Sequence, residues 1–273
     1  MADNIKPHVA ERVKKIREWE KYNNFTEAKD NPQFTLYKNY YVPTSIVKTG
    51  KNVLSFGVGG HVGFEKELVY ENLDLNVDLY DPTPFSMMSW DRIRHVSSRV
   101  KITDKSSQTR NIQVSNKLNY NAFAYNKDNG TFPFYYDPTR KLDERASEIR
   151  NFKQSFSLIK IGDHFKSVDV KAINLETIMQ EKDYKSVDII KADIEGLWWD
   201  FAHEILDKKI DVKFIALELE LNFEKDEKVE PALDKAQIVC DKFKANNYDV
   251  IINRKRGKLM LELLFVRRDS YEG

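Results

Sequence analysis

Hydrophobic and polar positions follow two periods along most of the chain, which predicts strands and helices in alternation. Short apolar runs rich in β-formers, such as residues 53–56 (VLSF) and 187–192 (VDIIKA), are typical of buried strands. Apolar residues also recur at helical spacing, for example Val9, Val13 and Ile16 near the N-terminus. Strands that alternate with helices favour a doubly wound α/β sheet.

The same patterns place the other elements. The turn signal Asp128-Asn129-Gly130 predicts a hairpin between strands 119–125 and 131–136. Residues 97–117 lack a clear period, which indicates an inserted excursion. The remaining predicted elements are helices at 7–22, 85–96, 231–247 and after Asn174, strands at 168–173 and 213–221, and a closing antiparallel pair at 248–253 and 259–266.

The stretch from residue 53 to 84 carries the first functional signal. A strand leads into Gly57, Gly59, Gly60 and Gly63, a helix follows, and a second strand ends at Asp81. Glycines allow a sharp turn and close approach of backbone to a ligand. An acidic residue roughly 20 positions on grips ribose hydroxyls in Rossmann-like sheets. The pattern predicts a nucleoside site; the alternative is an ordinary βαβ unit with a glycine-rich turn.

Composition and charge narrow the class of protein. The 273 residues, 41% of them hydrophobic, can bury a substantial core as one domain with an appendage. A formal charge of +1 gives no broad attraction to nucleic acid or to an anionic membrane. A single cysteine, Cys240, excludes an internal disulfide and predicts a buried, inert thiol. With no signal peptide and no apolar run long enough to insert stably in a membrane, we expect a cytoplasmic protein.

The N-terminal segment, residues 1–48, reads as a helical and aromatic extension of the domain formed by residues 49–273. Its first helix is basic and amphipathic, a pattern that can lie on a membrane. We expect it instead to pack on the domain, or on a second subunit to give a homodimer.

Seven segments together resemble the FkbM-type S-adenosylmethionine-dependent methyltransferases. In family order they are LSFGVGGHVGFEKEL, LYDPTP, AYNKDNGTFPFY, INLETIMQ, VDIIKADIEG, FIALELE and LELLFVRR, and they cover roughly residues 50–268. The terminal antiparallel pair is likewise typical of the class I methyltransferase sheet. Two departures stand out: Ser55 or Gly57 replaces the acid common at the end of the first strand, and Leu197-Trp198 follows the DIEG box.

The resemblance implies an S-adenosylmethionine site that releases S-adenosylhomocysteine. Residues 57–61 (Gly57, Val58, Gly59, Gly60 and His61) would cradle the methionine part, Asp81 would take the ribose hydroxyls with Pro82 shaping the turn, and Phe123 would flank adenine. Glu65 either accepts the ammonium group of the cofactor or is a favourable charge at a helix N-terminus.

Acidic residues at strand ends are the candidates for catalysis. Asp193 is the first candidate for a group near the transferred methyl, as a cofactor contact or as the base, and Glu195 is the second. His61 is a rival base because imidazole titrates near neutral pH. Alternatively, Glu195 caps the next helix. We expect no metal, although oxygen ligands from Asp193 with Glu218 or Glu220 would suit Mg²⁺.

These features predict an O-methyltransferase that acts on a hydroxyl of a sugar, a glycan or a small metabolite. Two alternatives remain open at this point. One is a catalytically inactive, methyltransferase-like binding scaffold, which the missing first-strand acid would explain. The other is an NAD(P)-dependent oxidoreductase, because residues 57–63 approach a dinucleotide-binding fingerprint.

Overall fold

The computed structural model describes most of the chain, with gaps. Described are residues 7–59, 61–84, 86–87, 90, 99–103, 109–113, 117–136, 138, 156–160, 163–220, 229–253 and 260–271, of which 7–10, 99–103, 109–113, 156, 220 and 260 are described by their backbone alone. Gly60 and most of the helix predicted at 85–96 lie outside these residues, as does the side chain of Glu220.

Sixteen strands are found in the described residues. In chain order they are β1 (Thr26–Glu27), β2 (Phe34–Tyr37), β3 (Tyr40–Pro43), β4 (Asn52–Phe56), β5 (Asn76–Tyr80), β6 (Arg99–Thr103), β7 (Thr109–Gln113), β8 (Leu118–Asn121), β9 (Ala124–Tyr125), β10 (Gly130–Tyr136), β11 (Phe156–Ser157), β12 (Lys166–Ile173), β13 (Val187–Ala192), β14 (Val212–Glu220), β15 (Tyr248–Ile252) and β16 (Met260–Arg267). The α-helices are α1 (Pro7–Asn23), α2 (Thr44–Thr49), α3 (Gly63–Glu71), α4 (Leu175–Glu181), α5 (Trp198–Asp207) and α6 (Val229–Ala245).

The central sheet is mostly parallel and has the order β1-β15-β16-β14-β13-β4-β5-β8. Only β16 runs against its neighbours β14 and β15. This arrangement confirms the predicted fold class, an α/β Rossmann-like sheet with a C-terminal antiparallel pair. Because β4, β5, β8, β13 and β14 are parallel, their carboxyl ends meet at one edge.

Side chains on alternate positions of each central strand enter two separate cores. Leu54 and Phe56 of β4 pack on one face with Phe201 of α5. Val53 points to the other face and packs with Phe64 of α3. Every residue of β13 is buried, as expected for a parallel strand covered on both sides.

The N-terminal segment packs on the domain. Lys15 of α1 forms an ion pair of 2.9 Å with Glu230 of α6, and the Asn23 amide donates to Gln237 at 2.7 Å. Ile16 is buried in the core beside α6. Since β1 also joins the central sheet, the segment is integrated into the fold, and the predicted homodimer through α1 stays a prediction.

The predicted hairpin across residues 128–130 is wrong. Strand β8 joins the central sheet beside β5, whereas β10 pairs with β12 and β11 in a second sheet of order β11-β10-β12-β9. A turn signal reports only local geometry, while the β12 partners of β10 lie 30 to 42 residues further along the chain. The excursion at 97–117 also proves regular in part, because β6 and β7 pair as an antiparallel hairpin.

Helix α4 begins as predicted: the Asn174 side chain accepts a hydrogen bond of 2.8 Å from the Thr177 amide and caps it. In the part of the chain that is described, no helix combines the length and apolar character that crossing a bilayer requires.

Candidate functional site

A bend at the end of β4 forms one side of a cleft at the carboxyl edge of the sheet. Gly57 adopts φ +66°, and a Cβ there would lie 1.7 Å from the carbonyl oxygen of Asp193. Gly59 adopts φ +58°, but a Cβ there would meet nothing within 4 Å. The first glycine is therefore required by packing against the exit of β13, and the second by its backbone conformation alone.

Asp81 closes β5 opposite this bend, and it is only 3% exposed. Its Oδ2 accepts from the Gly59 amide at 2.7 Å, and its Oδ1 accepts from the Thr83 amide at 2.8 Å. An ionised carboxylate offers about four acceptor positions. Asp81 therefore holds the bend in place and keeps capacity for two further donors from a ligand.

The cleft itself has a volume of about 170 Å³. Its inner part is lined by Gly57, Gly59, Asp81 and Pro82, with the rings of Tyr80 and Tyr125 beside them. Small-molecule sites commonly enclose roughly 300–1,000 Å³. A ligand as large as S-adenosylmethionine would therefore extend from this cleft through its mouth.

The outer part of the cleft is built by the second sheet and by the loop after β13. Phe134 of β10 and Leu158, next to β11, line the cleft together with Asp193 and Glu195. The Ser157 hydroxyl donates to the Glu195 carbonyl at 2.8 Å, which ties the second sheet to that loop. The outer wall thus combines apolar surface with two carboxylates.

Asp193 follows the last residue of β13 and lines the cleft. Its side chain is 32% exposed, and its Oδ2 lies 4.0 Å from the Lys191 ammonium nitrogen. The Asp193 amide donates to the Phe56 carbonyl at 3.2 Å, which continues the pairing of β13 with β4. The residue predicted to lie nearest the chemistry is thus fixed at its backbone and accessible at its carboxylate.

Four predicted ligand residues lie away from this cleft. Glu65 is buried under the sheet, where it accepts a hydrogen bond of 2.5 Å from Ser55. Burial raises the pKa of Glu65, and nearby Lys191 lowers it in part. Val58 is buried in the core, His61 is exposed, and Phe123 packs against the core beside the lining residues Ala124 and Tyr125.

The two tryptophans after the DIEG box also lie outside the cleft. Trp198 is buried in the core, and Trp199 packs its ring on His203 with centroids 4.1 Å apart. Leu197, the other half of this departure from the family pattern, does line the cleft. Glu218 pairs across strands with Glu262, and both are buried below the edge of the sheet.

The sequence prediction missed the contribution of the second sheet and that of Lys191. Phe134, Ser157 and Leu158 reach the cleft only through the pairing of β10 with β11 and β12, which no local pattern reveals. Lys191 stands inside the quoted VDIIKADIEG segment, so an ionisable residue in a fully buried strand was the available signal. Across the described residues, no three His, Cys, Asp or Glu side chains are grouped so that they could hold a metal ion.

A family model, described as the methyltransferase FkbM domain, matches residues 104–250. This span exceeds half of the 273 residues. It contains Asp193 and Glu195, whereas the glycine bend and Asp81 precede it. A search of curated proteins gave no match.

Two solved structures are similar to the chain at low identity. An O-methyltransferase family protein from Burkholderia thailandensis is 10% identical with a TM-score of 0.38, over 82% of this chain and 54% of that chain. The fibrillarin pre-rRNA processing protein of Methanococcus jannaschii is 9% identical with a TM-score of 0.37, over 89% of this chain and 84% of that chain. This chain thus spans about half the length of the Burkholderia protein.

Proposed function

This chain belongs to the methyltransferase FkbM domain family, and we propose that it transfers a methyl group from S-adenosylmethionine to a hydroxyl group. One observation carries the proposal. Asp81 and Asp193 line a single cleft from opposite sides of the glycine bend. A nucleoside grip and a candidate base are therefore in reach of one bound molecule.

The residues present fit the cofactor. Asp81 would accept the ribose hydroxyl groups with its remaining acceptor positions, while Gly57 and Gly59 would let the backbone approach the methionine part. Tyr80 and Tyr125 would provide apolar surface for the adenine ring. When bound, S-adenosylmethionine supplies a methyl group on a good leaving group. Its cationic sulfonium suits a cleft whose described lining contains Asp81, Asp193 and Glu195.

Asp193 is the proposed base. As the methyl group is transferred, the hydroxyl proton passes to its carboxylate, and this kind of catalysis is worth about 10²–10⁴ in rate. Its accessible side chain and fixed backbone suit that role. Glu195 also lines the cleft and is the second candidate. The exposed position of His61, outside the cleft lining, weakens its candidacy.

The acceptor is proposed to be a sugar, a glycan or a small metabolite with a hydroxyl group. Phe134, Leu158 and Leu197 present apolar surface next to the carboxylates of Asp193 and Glu195. A sugar ring likewise combines apolar and polar surface, with C–H groups on its faces and hydroxyl groups at its edge. Positioning of such a ring against the methyl group would supply several kcal/mol of rate acceleration.

The first experiment measures the thermal shift with S-adenosylhomocysteine and with NAD. Stabilisation by S-adenosylhomocysteine alone supports methyl transfer. Stabilisation by NAD would support the oxidoreductase alternative, and no response to either ligand would favour the binding scaffold.

The second experiment tests the base with methyl-labelled S-adenosylmethionine and a panel of glycosides and phenols. Asp193→Asn should lower turnover by about 10²-fold or more while S-adenosylhomocysteine affinity stays within about threefold, since the side chain keeps its shape. Glu195→Gln tests the second candidate of the same cleft, and loss of turnover in that variant alone would assign the base to Glu195. Full turnover in Asp193→Asn would contradict the assignment.

A further inference from the structure

Lys191 carries a charge in the most buried strand of the sheet. It stands in β13 between Ile190 and Ala192, and it is 5% exposed. Removal of an ammonium group from water is costly unless its donors are satisfied and an opposite charge is near. The groups that the Lys191 ammonium contacts therefore indicate the role of this charge.

The ammonium group bridges the exits of two strands. It donates to the Gly57 carbonyl at 2.8 Å and to the Phe56 carbonyl at 3.2 Å, both at the end of β4. On its own strand it lies 4.0 Å from Asp193 Oδ2. One cation thus lies between the bend at the end of β4 and the carboxylate of the proposed base at the end of β13.

The surrounding groups have the complementary charge. Glu65 of α3 is buried on the same side of the sheet, because it bonds Ser55, the β4 partner of Lys191, and Lys191 lowers its pKa against the effect of burial. The Tyr40 ring of β3 lies 5.9 Å from the ammonium nitrogen. Two carboxylates, Glu65 of α3 and Asp193 at the end of β13, therefore lie on the side of the ammonium group.

We propose that Lys191 is a positioning residue of the cofactor site, because its ammonium group fixes the bend at Gly57 against the exit of β13. This inference rests on the proposed methyltransferase function. The carbonyl bonds hold the backbone that would meet the methionine part of the cofactor. The ribose grip of Asp81 uses other hydrogen bonds, which come from the amides of Gly59 and Thr83.

This division predicts different effects on two ligands. Lys191→Met replaces the ammonium by an apolar group of similar length. S-adenosylhomocysteine, which has the homocysteine part, should bind about tenfold or more weakly, since bonds from a charged donor are lost. Adenosine, which lacks that part, should keep its affinity within about twofold.

The matched control is Lys213→Met. Lys213 pairs at 2.7 Å with Asp188, a buried acid at the opposite end of β13. Lys213→Met also removes a lysine that pairs with an acid of β13, but this pair lies far from the cleft. The affinities for S-adenosylhomocysteine and for adenosine should therefore stay unchanged. Lys191→Gln is a second variant if Lys191→Met does not fold, and the same difference between the two ligands is expected.

Calorimetric titration of folded wild type, Lys191→Met and Lys213→Met with both ligands decides the question. A selective loss for S-adenosylhomocysteine in Lys191→Met supports the inference. Unchanged affinity, or an equal loss for both ligands, overturns it while the proposed function stands. Absence of S-adenosylhomocysteine binding by the wild type would overturn the proposed function and this inference together.

Discussion

Removal of the Asp81 carboxylate should separate ligand binding from stability. The side chain accepts hydrogen bonds from the Gly59 amide at 2.7 Å and from the Thr83 amide at 2.8 Å. Hydrogen bonds to a charged group contribute about 1.5–3 kcal/mol each. Because water can reach the freed amides, Asp81→Ala should lower the unfolding free energy by about 2–4 kcal/mol.

Asp81→Ala should also weaken the binding of the cofactor product. If both ribose hydroxyl groups lose a carboxylate acceptor, about 3 kcal/mol of binding free energy disappears, or roughly a hundredfold in Kd. Isothermal titration with S-adenosylhomocysteine measures this loss directly. Denaturant unfolding of the same samples measures the stability and shows that the variant is folded under the titration conditions.

Asp78→Asn provides the control in the same strand. Asp78 is fully buried and binds the Lys182 ammonium at 2.6 Å and the Tyr184 hydroxyl at 2.7 Å. Its replacement should lower stability without changing ligand affinity, because it lies away from the cleft. Unchanged affinity in Asp81→Ala, or an equal loss in Asp78→Asn, would refute the ribose assignment.

Three further predictions concern backbone, pH and reactivity. Gly57→Ala should cost about 3 kcal/mol or more of stability because its Cβ would overlap the Asp193 carbonyl oxygen, whereas Gly59→Ala should cost only about 1 kcal/mol; equal losses in denaturant unfolding would contradict this. Burial raises the pKa of Glu65 above its ordinary 4.5, so the folded state binds this proton more tightly and loses stability as pH rises through that raised value. The unfolding temperature of Glu65→Gln relative to that of wild type should therefore increase as the pH rises above about 4.5. Parallel curves of unfolding temperature against pH for the two proteins would contradict the prediction. Burial raises the pKa of Cys240 to about 12, so a thiol reagent at about pH 8 should react only after denaturation, and reaction with native protein would oppose it.

Most of the central sheet was predictable because its strands carry local signals, although the two-residue strand β1 was not predicted. The buried run of β13 and the alternation in β14 are properties of neighbouring residues, and so is the cap at Asn174. The partner of β10 was not predictable, because pairing with β12 is decided by the tertiary fold and not by the turn at residues 128–130. The second sheet and its part of the cleft were therefore missed.

The candidate site was likewise predictable only in part. The sequence located Asp81 and Asp193 because an acid at the end of a parallel strand must lie at the carboxyl edge. The direction of a side chain within a loop or helix has no such rule. Glu65 could be placed in the first turn of α3, but its turn inward toward Ser55 depends on packing against β4. His61 likewise lies within two residues of the bend and yet outside the cleft lining.

A crystal structure with S-adenosylhomocysteine tests the central claim most directly. The account predicts that the two ribose oxygens lie within hydrogen-bond distance of the Asp81 carboxylate, that the homocysteine part follows the Gly57 bend, and that the sulfur faces Asp193. Density for the ligand elsewhere, or a ribose that contacts no atom of Asp81, would contradict it.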